Sequence, residues 1–202
     1  MNFFKLNLGP FIQGTLDLKP VNIAFVFQVN CPGCFIYGIP TMNTLYQKFK
    51  TKIGFIGVST AFEDFEYNNI TNTKLLLNDG TTVGETKKYL SLHMDTTTYD
   101  QLPQFPVAFD KMSATNDFLQ EENLTYLTNT LAGSTLLTPA KQTILHQNIK
   151  HHYQRYPTIA ETFTLNQLRG TPSFIIFKDN FEILAHSFGH QSVQNLEQLL
   201  QS

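Results

Sequence analysis

Val21-Asn22-Ile23-Ala24-Phe25-Val26-Phe27-Gln28-Val29-Asn30-Cys31-Pro32-Gly33-Cys34 is the stretch on which the reading of this chain turns. Its first part is apolar, β-branched and aromatic almost throughout, which predicts a buried strand over Val21–Val29. It runs into Cys31 and Cys34, the only 2 cysteines of the chain. Pro32 falls in the first turn of the helix that follows, where a missing N–H is harmless. A C-x-x-C pair at a strand-to-helix junction puts the first thiol at a helix N-terminus. Unpaired backbone N–H groups and the helix dipole favour the thiolate there. The pattern implies disulfide exchange, with Cys31, the more exposed, as the attacking sulfur and Cys34 as the one that resolves the mixed disulfide. Pro32-Gly33 sets no charged or aromatic group in the path of an incoming protein disulfide.

Composition narrows the classes around that motif. At 202 residues, with 42% hydrophobic content and 18 phenylalanines but no tryptophan, the chain can bury a substantial core. One elaborated domain over residues 1–202 is expected. A formal net charge of −2 with 14 Lys plus Arg carries no electrostatic footprint for nucleic acid. The apolar runs fall far short of the ~20 residues that span a bilayer, so no membrane partner is expected. Met1-Asn2-Phe3-Phe4-Lys5-Leu6-Asn7-Leu8 lacks the charge-then-apolar pattern of a signal peptide. Cytoplasmic residence is therefore the default expectation, and a mature periplasmic or extracytoplasmic form is the alternative. Two cysteines make no disulfide scaffold, which leaves redox or metal chemistry for the pair.

Around the dithiol the chain alternates strand and helix. Strands are expected near 3–8 and 12–18, broken by Gly9-Pro10 and ended by Pro20. The helix after Cys31 carries Phe35, Ile36, Ile39, Met42, Leu45, Tyr46 and Phe49 at helical spacing, and Pro40 is expected to kink it. Lys52–Ser59 reads as the next strand, parallel to the first through a βαβ unit. Thr60–Tyr67 reads as a helical turn, Thr82–His93 as a short helix and Gln104–Phe109 as a strand closed by Asp110. From Lys111 to Tyr156 runs a stretch that a minimal fold of this kind does not need. Ser113–Leu131 and Thr138–Tyr156 are expected as helices, the second opening on Thr138-Pro139. Thr158-Ile159-Ala160-Glu161 matches a capping box. The chain closes as strand Ser173–Phe177, turn Asp179-Asn180, strand Glu182–Ser187 and helix Ser192–Leu200. The fold class expected is α/β, a central mixed sheet flanked by helices, with 111–156 as a helical insertion.

A second segment sharpens the expectation. Arg169-Gly170-Thr171-Pro172-Ser173 places a proline directly before an apolar strand, where it marks the strand's beginning. Val26 to Cys34, Gly38-Ile39-Pro40 and Gly170-Thr171-Pro172-Ser173 together resemble the TlpA/ResA-like branch of the thioredoxin superfamily, related to the AhpC/TSA redoxins. Phe105-Pro106-Val107-Ala108-Phe109-Asp110 lies where that family carries the strand before its cis-proline segment. The resemblance implies a thioredoxin-like fold and a thiol–disulfide oxidoreductase without bound cofactor, most simply a disulfide reductase. It implies a cis Thr171–Pro172 peptide beside the cysteines. Thr171 would then offer its backbone to the substrate, next to Pro172, Pro32 and Gly33. The partners implied are a protein or small-molecule disulfide and an upstream dithiol reductant. Lys111–Tyr156 matches nothing in the family and is open to a role in specificity, dimerisation or core enlargement.

The chain departs from the family in places. Asn30 stands where thioredoxins have tryptophan, and Phe25 where they have a buried acid. The proton acceptor for Cys34 is thus open among Glu63, Asp64 and water. Pro40 lies six residues beyond Cys34 rather than the usual five, which hints at a bulge in the helix.

The same residues admit other readings. Zinc would need His186 and His190 beside the cysteines. A peroxiredoxin-like peroxidase would need Thr or Ser three residues before Cys31 and Pro seven before it, where Gln28 and Ala24 stand. A redox switch or binding protein would react once instead of turning over. His146, His151 and His152 read as a solvated helix face, Arg169 as a surface charge, and phenylalanines 25, 27, 35, 49, 55, 105, 109, 174 and 177 as core. Phe62-Glu63-Asp64-Phe65, at the C-terminal end of a parallel strand, sits where α/β sites gather.

Overall fold

The computed structural model describes residues 3–131 and 137–201. Met1-Asn2, Ser202 and 132–136, the last within the expected insertion, lie outside the described residues. Six strands form one mixed sheet: β1 (Leu8–Gln13), β2 (Val21–Phe27), β3 (Gly54–Ser59), β4 (Val107–Asp110), β7 (Ser173–Lys178) and β8 (Ile183–Phe188), in the order β1-β4-β3-β2-β7-β8. β2, β3 and β4 run parallel, while β1, β7 and β8 join antiparallel to their neighbours. β5 (Met112–Ala114) and β6 (Thr158–Ala160) pair as a separate ribbon.

Strand alternation divides the core into two layers. Ile23, Phe25 and Phe27 of β2, with Phe55, Phe174 and Ile176, face α1 (Ile39–Phe49), α2 (Ile70–Asp79), α3 (Gly84–Met94) and α8 (Val193–Gln201). Ala24, Val26, Ile56, Val58, Ile175 and Phe177 face the other way, onto Phe4 and Leu168. Phe25 sits at the centre of the first layer, its ring stacked on those of Phe27 and Phe174, each 5.2 Å away, with Phe105 edge-on at 6.1 Å. Of the nine phenylalanines expected inside, eight are buried and Phe49 is half-buried.

The segment after β4 differs from expectation. Ser113–Leu131 is not one helix: Met112–Ala114 pairs with β6, and the helices follow as α4 (Thr115–Phe118) and α5 (Glu121–Thr130). The capping box at Thr158 is also replaced. Thr158–Ala160 is strand, and α7 (Glu161–Leu165) starts only at Glu161. The Glu161 carboxylate bonds to Asn7, Ser113 and Lys111 in place of a cap. Pairing with a distant strand outweighs a local cap. α6 (Pro139–Tyr153) begins after Thr138 as expected, though Thr138 makes no side-chain cap bond. Phe118, Leu124, Leu127, Ile149, Ile159 and Leu165 join these pieces in a third apolar cluster.

Two more corrections have local causes. Gly9-Pro10 does not break a strand; it lies inside β1, at a sheet edge where a missing N–H is tolerated. Thr60–Tyr67 forms turns, and α2, unforeseen, starts where the Asn69 side chain accepts from Asn72 N–H at 3.0 Å.

Asp110, the last residue of β4, ties the main sheet to the start of α7. Its carboxylate accepts from Thr60 Oγ1 (2.8 Å) and from the N–H groups of Thr162 (2.8 Å) and Phe163 (3.1 Å). Burial pushes its pKa from 3.8 up to about 6, against the pull of those hydrogen bonds. A carboxyl with a raised folded-state pKa contributes stability that is full below its unfolded value and is lost as pH rises through the folded one. Between about pH 4 and 7, wild type should therefore lose stability relative to Asp110→Asn, by about 3 kcal/mol at most. Urea unfolding of both proteins across that range checks this, and a pH-independent difference would contradict it.

Candidate functional site

β2 ends at Phe27, and the chain crosses Gln28-Val29-Asn30 to reach the dithiol at the C-terminal end of the parallel strands. Cys31 and Cys34 are joined as a disulfide with Cα atoms 5.4 Å apart. Cys34 is fully buried, whereas Cys31 is partly exposed. Helix begins at Pro32, so Cys31 sits at its N-terminal end. The N–H of Cys34 points at Cys31 Sγ from 3.2 Å. A thiolate formed there meets a backbone donor and the positive end of the helix dipole.

The helix is wound wide at its start. Cys34–Gly38 is a π-turn, closed by Ile39 N–H donating to the Cys34 carbonyl, and α1 continues from it. Pro40 has no N–H to give the Phe35 carbonyl in the next π-type step. Tyr99, from the loop after α3, supplies the donor: its hydroxyl bonds the Phe35 carbonyl and its ring packs edge-on against Phe35 at 4.8 Å. Burial raises the pKa of Tyr99, so it stays a donor. The bulge hinted at by the late proline is therefore present as a π-turn, and its freed carbonyl is satisfied.

Folding brings the distant Thr171-Pro172 segment against the dithiol. The Thr171–Pro172 peptide is cis. The Thr171 carbonyl lies 3.6 Å from Cys31 Sγ, and Thr171 Oγ1 donates to Gln28 Oε1 at 3.1 Å. Pro172 packs on the helix start: a Cβ built on Gly33 would sit 3.8 Å from Pro172 Cδ, and one on Gly38 3.5 Å from Pro172 Cβ. At Gly38 the same Cβ would lie 2.5 Å from the Phe25 ring, so any side chain there would push the π-turn off the core. Gly189 N–H donates to the Pro172 carbonyl at 2.9 Å. Cys31, Pro32, Gly33, Cys34, Thr171 and Pro172, six residues from two distant segments, thus come together, with Cys34 and Pro172 buried beneath the others. Tyr37, stacked on His190 at 4.2 Å, and Phe188 beside Gly170 are exposed next to it.

Some residues of interest lie elsewhere or play other parts. Phe25 fills the position of the family's acid with a ring. Asp64 is bonded to the Asn30 side chain at 2.9 Å, and burial, then Asp64, raises the pKa of Glu63. Arg169 is exposed. Among the described residues, no three His, Cys, Asp or Glu side chains come together to hold a metal ion, and no helix is long and apolar enough to cross a membrane. Sequence reasoning missed Gln28 as a partner of Thr171. Its Nε2 is buried with no hydrogen-bond partner among the described residues, and a polar residue in an apolar run was the available signal.

No protein-family model and no curated protein matches the chain. Solved structures do. One is a thiol-disulfide isomerase from Corynebacterium glutamicum, 18% identical, with 99% of this chain covering 94% of that one at a TM-score of 0.57. Another is a thioredoxin-like superfamily protein, 19% identical, with 97% of this chain covering 91% of that one at a TM-score of 0.55. The chain has the thioredoxin-like fold, a central mixed sheet flanked by helices.

Proposed function

We propose that this protein is a thiol–disulfide oxidoreductase of the TlpA/ResA-like kind, acting as one domain with 111–156 as its helical insertion. The observation that carries the reading is the convergence at Cys31 Sγ: Cys34 N–H at 3.2 Å on one side and the Thr171 carbonyl at 3.6 Å on the other, beside Pro172. In the reduced protein, the Cys31 thiolate attacks one sulfur of a partner disulfide. That S–S bond breaks, the partner's other sulfur leaves as thiolate, and a mixed disulfide forms. Cys34 then gives up its proton and attacks Cys31 Sγ. The Cys31–Cys34 bond closes, and the partner leaves as a dithiol carrying two electrons. Thr171, with Pro172, Pro32 and Gly33, forms the ledge along which the partner's backbone lies during this exchange. An upstream dithiol restores the reduced pair. In a cytoplasm the protein works as a reductant; an oxidising compartment would run the same steps as isomerisation or oxidation.

The test is a redox titration through dithiol/disulfide buffers, with thiols trapped by alkylation and the Cys31–Cys34 state read by mass. A reversible transition near about −270 mV marks a reductant, and one near about −120 mV an oxidant. Absence of a reversible two-electron step overturns the proposal.

A further inference from the structure

We propose that Asn30 is a positioning residue for Cys31, clamping the segment that leads into the attacking sulfur between the Glu63–Asn69 turn and the N-terminus of α3. The proposal rests on the exchange reading above. Asn30 uses every hydrogen-bonding group that faces these two neighbours. Its backbone N–H donates to Asn68 Oδ1 at 2.9 Å, its Nδ2 donates to Asp64 Oδ2 at 2.9 Å, and its Oδ1 accepts from Glu85 N–H at 2.6 Å. One residue earlier, the Val29 carbonyl accepts from Thr86 Oγ1 at 2.8 Å in a buried bond.

The partners are themselves built to hold still. Asn68 is buried, and its Nδ2 is committed to the Glu63 carbonyl at 3.0 Å, which turns its Oδ1 toward Asn30. Asp64 adopts φ 47, and its carbonyl accepts from the N–H groups of Tyr67 and Asn68, both at 2.8 Å. Asp is one of the few residues that takes this left-handed conformation readily. Gly84 opens α3 with φ +51, and a Cβ there would strike Asn30 Oδ1. The α3 terminus therefore approaches Asn30 more closely than any other residue type would allow.

The consequence falls on the next residue. With Val29 and Asn30 held by two elements remote in sequence, the direction in which Cys31 leaves the strand is set before any substrate arrives. That direction keeps Sγ in line with the Cys34 N–H and the Thr171 carbonyl.

Full-length protein carrying Asn30→Ala or Asn30→Ser tests this by three readouts: iodoacetamide alkylation of reduced Cys31 at fixed neutral pH, kcat and KM on a protein disulfide, and thermal unfolding. Asn30→Ala should slow alkylation and lower kcat about tenfold, the effect of a misdirected reacting group, with KM within about twofold of wild type. Asn30→Ser should fall in the same direction, and it carries the test if the alanine variant does not fold. Unchanged alkylation and kcat in a destabilised Asn30→Ala would overturn the proposal by reducing Asn30 to a structural role. A wild type whose Cys31 alkylates but which turns over no disulfide sinks the exchange reading, while the alkylation comparison still judges Asn30.

Discussion

Cys31→Ser should abolish catalysed disulfide reduction, a fall of about a thousandfold or more, or roughly 4 kcal/mol in the barrier. An alcohol at this position is not ionised near neutral pH, so the Cys34 N–H and the helix terminus have no thiolate to stabilise. Cys34→Ser should behave differently. Cys31 still attacks, but nothing beneath it resolves the product, so one equivalent of mixed disulfide accumulates. Non-reducing electrophoresis and intact mass distinguish the two: no adduct with Cys31→Ser, a stoichiometric adduct with Cys34→Ser. The burial of Cys34 against the exposure of Cys31 is the structural reason for this asymmetry. If Cys34→Ser reacted no further than Cys31→Ser, the assignment of attacking and resolving sulfurs would be wrong.

The second large effect is expected at Phe25. Its ring is fully buried, packed on those of Phe27, Phe174 and Phe105, and touches the helix at Gly38. Phe25→Ala should cost about 3–5 kcal/mol, combining lost burial with the cavity left among rings that cannot all move in. For a chain of this size that corresponds to a fall in melting temperature of roughly 6–20 °C. Calorimetry or urea unfolding reads it directly; a loss below about 1 kcal/mol would mean that the aromatic layer repacks freely. The π-turn that carries Cys34 rests on the same ring, so disulfide turnover should fall along with stability.

Much of this architecture was legible in local pattern. The apolar run from Val21 and the proline-punctuated strand at Ser173 announce two central strands, because a strand buried on both faces has little room for polar residues. The dithiol was equally plain, since a C-x-x-C needs only a strand end and a helix start. Pro40's late position disclosed the bulge because a proline removes one particular donor. What local pattern misjudged was decided by partners far away. Met112–Ala114 has helical neighbours in sequence but lies in register with Thr158–Ala160, and that pairing broke both the long helix and the capping box.

The site divides in the same way. Local chain chemistry was enough for the two sulfurs, their order and the helix terminus beside the first, because those follow from covalent spacing and the start of a helix. Folding alone brought Gln28 to Thr171, Tyr99 to the carbonyl left by Pro40, and Asp64, Asn68 and Glu85 to Asn30. Each is a hydrogen bond across a long stretch of chain, and no residue's own preference encodes its partner. Such bonds form among whatever polar groups the packed sheet and helices bring within reach, and burial leaves few of the enclosed ones unpaired.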